Sequence, residues 1–112
     1  MSARVELDRI TELGERDFVD EMVDLFATAG REQIRDVRSA LGRGDAVSLA
    51  QCAHKLKGAC LGMFATTMAE LAHNLEQAAK CARLEQASEM LSELEAAMDE
   101  TTAQMRALRA HP

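Results

Sequence analysis

The 112-residue sequence contains no Trp and no Tyr, only three Phe, and a single proline, Pro112, at its last position. With aromatics at 3% and no proline to interrupt a helix, the 47% of hydrophobic residues falls mainly to Leu, Ala and Met. Together with abundant Glu, this is the composition of an all-helical protein. No apolar run is long enough to cross a bilayer, and Met1-Ser2-Ala3-Arg4-Val5-Glu6 lacks the apolar stretch of a signal peptide. The 13 Lys and Arg form no long block and are outnumbered by 19 Asp and Glu, for a net charge of −6. That balance argues against a nucleic-acid footprint and against direct contact with a membrane. Neither a G-x-x-x-x-G-K-[ST] loop nor another glycine-rich nucleotide motif occurs, so the chain brings no ATP site. Cysteines are three, an odd number, and Cys52 and Cys60 on one helix would stand roughly 12 Å apart along its axis. Reduced thiols and a cytoplasmic setting fit that pattern.

What is present is helical periodicity over a length that suits one domain, residues 1–112. Leu7, Ile10 and Leu13, ending at Gly14, predict a short first helix that lids one end of the core. Asp17 is placed to cap a second helix whose apolar face runs Phe18, Met22, Leu25, Phe26, Ala29, Ile34, Val37 and Leu41, with Gly30 a candidate bend. Gly44-Asp45 makes a turn and a cap for a third helix reaching about Met63. Thr67 and Glu70 have capping-box spacing, with Thr66 or Thr67 as the cap of a fourth helix through Met68, Leu71, Leu75 and Ala78 to about Lys80. Leu84, Ala87, Leu91, Leu94, Met98, Thr101, Met105 and Leu108 then alternate by three and four, the mark of a long bundle helix. Short connections between long helices give an all-α, antiparallel up-and-down four-helix bundle with an additional short N-terminal helix. A coiled-coil dimer through the last helix is the alternative; a monomer is expected, because one core serves every helix.

The third helix carries residues that packing does not explain. Ala46, Leu49, Ala50, Ala53, Leu56, Cys60 and Phe64 fall on one stripe, the core face. His54 lies roughly 110° from its centre, beside Val47, Gln51, Gly58 and Gly62, on a mostly solvent-facing strip. Glycine inside a helix costs about 1 kcal/mol relative to alanine, so Gly58 calls for another reason, such as close approach of a second molecule. An exposed neutral imidazole has a free lone pair and can act as a nucleophile. Lys57 and Lys55 supply positive charge near any group that becomes anionic on taking up phosphate. Against this stand plain readings: a solvated histidine, a solvated basic spot, and a buried Cys60 and methionines that simply pack. A metal site at His54 finds no His or Cys at i+4, and His73 and His111 fall on other segments.

The run Ala53-His54-Lys55-Leu56-Lys57-Gly58, followed by Met68, Leu71 and Leu75-Glu76, resembles a histidine-containing phosphotransfer (HPt) domain, and the resemblance spans the chain. It implies a phosphorelay intermediate of two-component signal transduction. His54 would accept a phosphoryl group from the aspartyl phosphate of a response-regulator receiver domain and hand it to another receiver. Lys57 and, less directly, Lys55 would steady the phosphoryl charge; Gln51 would hydrogen-bond near the ring. Gly58 would keep the approach open, and Val47, Leu61 and Gly62 would form part of the receiver contact. No cofactor is implied on this chain, and Mg²⁺ is expected on the receiver partner. The family occurs as free-standing shuttles and as the C-terminal module of hybrid sensor histidine kinases, at the cytoplasmic end of a membrane-anchored chain. This sequence departs from the family at Phe64, where a glycine is frequent ten residues after the histidine; Gly62 is its nearest glycine, so a different helix end is expected. The reading from another class is a helical adaptor that binds partners without phosphoryl chemistry.

Overall fold

The computed structural model describes residues 3–110, and side chains from residue 3 to residue 108. His111 lies outside the described residues. Five helices follow one another: α1 (Leu7–Thr11), α2 (Arg16–Gly42), α3 (Ala46–Gly62), α4 (Thr66–Lys80) and α5 (Leu84–Ala110). Connections at 43–45, 63–65 and 81–83 are too short for anything but a reversal, so α2 to α5 run antiparallel. Each packs on the next and α5 returns to α2, closing a four-helix bundle with α1 set against α2 and α5.

Helix length explains the role of the N-terminal segment. α2 and α5 have 27 residues each, about 40 Å at 1.5 Å per residue, whereas α3 and α4 have 17 and 15. Where the shorter pair stops, the apolar faces of α2 and α5 would meet water. Of the residues expected to form the lid, Ile10 is buried there and Leu7 partly so, joined by Ala3 from the segment before α1, whereas Leu13 is exposed beyond the end of α1. The lid is tied down by backbone. Gln104 Nε2 donates to Ala3 O, Ala3 N donates to Glu100, and Glu6 N donates to Phe64 O at 2.9 Å.

Several expected details come out differently. Helix α2 starts at Arg16 with Glu15 before it, so Asp17 lies in the first turn, where its charge suits the helix dipole, and does not cap. Its buried face is Val19, Val23, Phe26, Ala27, Gly30, Ile34 and Val37, while Phe18 and Leu25 are exposed. Both sit more than 100° from that stripe; apolar residues on two sides left the periodicity ambiguous, and the partner helices chose. α2 continues through Gly30. A Cβ there would come within 2.8 Å of Met98 Cε, so this glycine makes room for the end of the Met98 side chain and does not bend the helix. Ala65 precedes α4 with no side-chain cap, and the Thr67 hydroxyl instead accepts from Arg4 N at 2.7 Å while Thr67 N donates to Arg4 O. The N-terminal strap has taken the group expected to cap the helix. The α5 stripe stands as read, with Ala87, Leu91, Leu94, Met98, Thr101 and Met105 buried.

Three helices end in the same way. Gly44, Phe64 and Ala82 have φ of 67, 57 and 55°, and the amides that follow them, of Asp45, Ala65 and Arg83, donate to the carbonyls of Ala40, Cys60 and Ala78 at 2.9 to 3.0 Å. This is the Schellman arrangement, which satisfies carbonyls that a helix end would otherwise leave without partners. Only the first uses glycine, the residue for which a positive φ carries no Cβ penalty.

Candidate functional site

Helix α3 begins on a side-chain cap. Ser48 N donates to Asp45 Oδ1 at 3.0 Å and Ser48 Oγ to Oδ2 at 2.7 Å, and these bonds hold the Asp45 carboxyl below its ordinary range. From that fixed start Leu49, Ala53, Leu56 and Cys60 turn into the core, and Ala50 and Phe64 pack at its edge. Burial pushes the Cys60 thiol up to about 12, which makes it an inert apolar filler.

The opposite strip is open. His54 exposes 69% of its side chain, Val47 is 70% exposed and Leu61 60%, and Gln51, Lys55, Gly58 and Gly62 are exposed as well. A Cβ at Gly58 or at Gly62 would meet nothing within 4 Å, so no internal contact requires either glycine. The strip therefore presents a histidine between small residues, with an apolar side chain near each end.

Beneath His54 lies a residue to which the sequence reading gave no role. Glu76 of α4 is buried, 4% exposed, and three cationic or ring nitrogens surround its carboxylate. Lys57 Nζ donates to Oε1 at 2.9 Å; His54 Nδ1 at 3.1 Å and Lys80 Nζ at 3.2 Å share Oε2. The hydrogen bond from Lys57, helped by Lys80, lowers the Glu76 carboxyl to about 2, against desolvation that pushes the other way. An ionised carboxylate only accepts, so His54 Nδ1 must carry the proton and donate. In the neutral ring Nε2 then has the lone pair, on a largely exposed side chain.

The candidates thus separate. His54 and Lys57 come together on Glu76, with Lys57 Nζ also 3.4 Å from His73 Nδ1. Gln51, expected to hydrogen-bond near the ring, is exposed, and the ring's Nδ1 meets Glu76. The Lys57 ammonium is turned to α4, with 22% of its side chain exposed, whereas Lys55 points outward. Glu76 had a signal in the sequence: with Ala72, Leu75 and Ala79 it shares one helical face, and a carboxylate there is out of place unless something meets it. Beside Lys57 a cleft of about 500 Å³ runs between α3 and α4, with Leu61, Phe64, Ala69 and His73 in its walls. Arg9 caps it, its guanidinium 4.9 Å from the centre of the Phe64 ring. The α3 end expected to differ at Phe64 adopts the left-handed geometry that glycine favours, borne here by a phenylalanine. Among the described residues no cluster of three or more His, Cys, Asp or Glu is placed to hold a metal ion, and no helix is long and apolar enough to cross a membrane.

Known proteins place this arrangement. No curated protein matches the sequence. The crystal structure of histidine-containing phosphotransfer protein B (HptB) from Pseudomonas aeruginosa PAO1 is similar with a TM-score of 0.85 and 26% identity, over 93% of this chain and 90% of that one. The Hpt domain family matches residues 21–106, which include all four bundle helices in whole or large part and every residue around Glu76. A bundle of this shape, an exposed histidine on its third helix and a match over most of the chain lead to one assignment: the chain belongs to the Hpt family of histidine phosphotransfer domains.

Proposed function

We propose that His54 is the phosphorelay residue of this Hpt domain and that Nε2 is the atom that carries the phosphoryl group between receiver domains. The observation behind this reading is the Glu76 contact, which commits Nδ1 to donating and leaves Nε2 free. In the forward step the Nε2 lone pair attacks the phosphorus of an aspartyl phosphate in line. The bond from the aspartate oxygen to phosphorus breaks, and its electron pair returns to the receiver's carboxylate. The ring, still holding Nδ1–H, becomes cationic as the N–P bond forms, and the Glu76 carboxylate 3.1 Å away offsets that charge. Transfer to the next receiver is the reverse. Lys57 holds Glu76 in place. Gly58 leaves room above the ring for the receiver's acidic pocket, whose Mg²⁺ belongs to the partner, and Val47 and Leu61 offer it apolar contact.

The test is incubation with a phosphorylated receiver. Wild type should acquire acid-labile, alkali-stable phosphate and His54→Gln should not. If neither chain is labelled by any of several receivers, while both remain folded, the reading fails and an adaptor without phosphoryl chemistry takes its place.

A further inference from the structure

Lys80 is the last residue of α4, four positions after Glu76, and a lysine there is favourable for the helix end whatever else it does. Its contact is more specific than that. Its Nζ lies 3.2 Å from Glu76 Oε2, the oxygen that accepts from His54 Nδ1, whereas Lys57 takes Oε1. We infer that Lys80 tunes the proton affinity of His54 by competing with the imidazole for one oxygen of Glu76, and so sets how much of the ring is in the neutral form that can attack. Only its bearing on phosphoryl transfer rests on the phosphorelay reading.

The physical sign is the same by both routes. An ammonium bonded to Oε2 draws electron density from it and weakens its attraction for a cationic ring, and the ammonium also repels that ring directly. Lys80 therefore favours the neutral imidazole, whose Nε2 can attack, over the imidazolium, whose Nε2 cannot. The other charged groups around the ring are Glu76 and, through Lys57, His73 from α4, with Lys55 and Lys57 on its own helix; α2, on the other flank of α3, sets Asp36 near Cys52. None of these shares an oxygen with the ring as Lys80 does.

The experiment is an NMR titration of the His54 ring in the full chain, wild type against Lys80→Met, Lys80→Gln and Lys80→Arg. Loss of the charge should raise the pH midpoint of ring protonation by about half a unit, a modest size because both groups are largely in water, and the arginine should restore it. A melting temperature that falls while the midpoint stays put would reduce Lys80 to a helix-end cation and overturn the inference. An arginine that fails to restore the midpoint would overturn it too. The titration needs no phosphoryl donor. Failure of His54 to accept phosphate in wild type would therefore sink the proposed function and leave the titration result standing.

Discussion

At position 76 a carboxylate occupies the inward face of a helix, and burying an isolated charge would cost several kcal/mol. Three nitrogens meet it, and the hydrogen bonds from two of them, Lys57 first and then Lys80, lower the carboxyl from 4.5 to about 2 against the cost of burial. Because the folded value lies below the unfolded one, the stability Glu76 contributes is complete above about pH 4.5 and is lost as pH falls toward 2. Glu76→Gln should therefore lower the melting temperature most near neutral pH, leaving the half-buried Lys57 without its anion, and the gap to wild type should close toward pH 2. Melting curves across that range check it; a gap independent of pH would mean that the charge itself stabilises nothing. Gly58 invites the opposite kind of test. With open space where its Cβ would be, Gly58→Ala should stabilise the domain by about 1 kcal/mol through helix propensity. Larger replacements such as Gly58→Leu should slow phosphotransfer at unchanged helicity. Transfer at the wild-type rate in Gly58→Leu would remove the docking role.

Among elements, the ends of the helices carry the chain's least comfortable backbone. Phe64 and Ala82 hold left-handed conformations that cost an L-residue about 1 kcal/mol or more relative to glycine, and the Schellman bonds around them keep them there. At Phe64 the ring returns something, since it lies under the Arg9 guanidinium and lines the cleft between α3 and α4. Two substitutions separate backbone from ring. Phe64→Ala loses the ring and keeps the strain, whereas Phe64→Gly loses both, so the glycine variant should be the more stable of the two by about 1 kcal/mol in urea unfolding. Equal stability would show that the positive φ costs nothing at this turn. The same argument explains why the sequence located these ends only approximately. Glycine at C′ is the legible stop signal, and of the three Schellman ends only the one at Gly44 displays it.

For the whole molecule, the question left by the heptad-like spacing of α5 was whether that stripe serves a second copy. Ala87, Leu91, Leu94, Met98 and Met105 are buried within one chain, against α2, α4 and the N-terminal lid. The large exposed apolar residues, Leu13, Phe18, Leu25, Val47 and Leu61, lie on the other helices or beside them. A coiled-coil seam on α5 would require the bundle to open. Sedimentation equilibrium at micromolar concentration should accordingly give the monomer mass, and a dimer that dissociates when Leu91 is made polar would contradict it.

Helix number, the long α5 stripe, the Asp45 cap and the outward strip of His54 and Gly58 could all be read from the sequence, because each depends on angular relations inside one helix. Periodicity reports on residues three and four apart, and those relations are fixed by 3.6 residues per turn whatever the helix packs against. The tertiary structure decided the rest. His54 meets Glu76 across 22 residues of sequence, and Lys57 and Lys80 reach the same carboxylate from different helices. Which nitrogen of His54 donates follows from how α3 lies against α4, as does the face of α2 that is buried and the diversion of Thr67 from cap to strap. These are contacts between helices. No pattern within one helix determines the register and rotation at which it meets another, and at this site that register selects the atom left free to react.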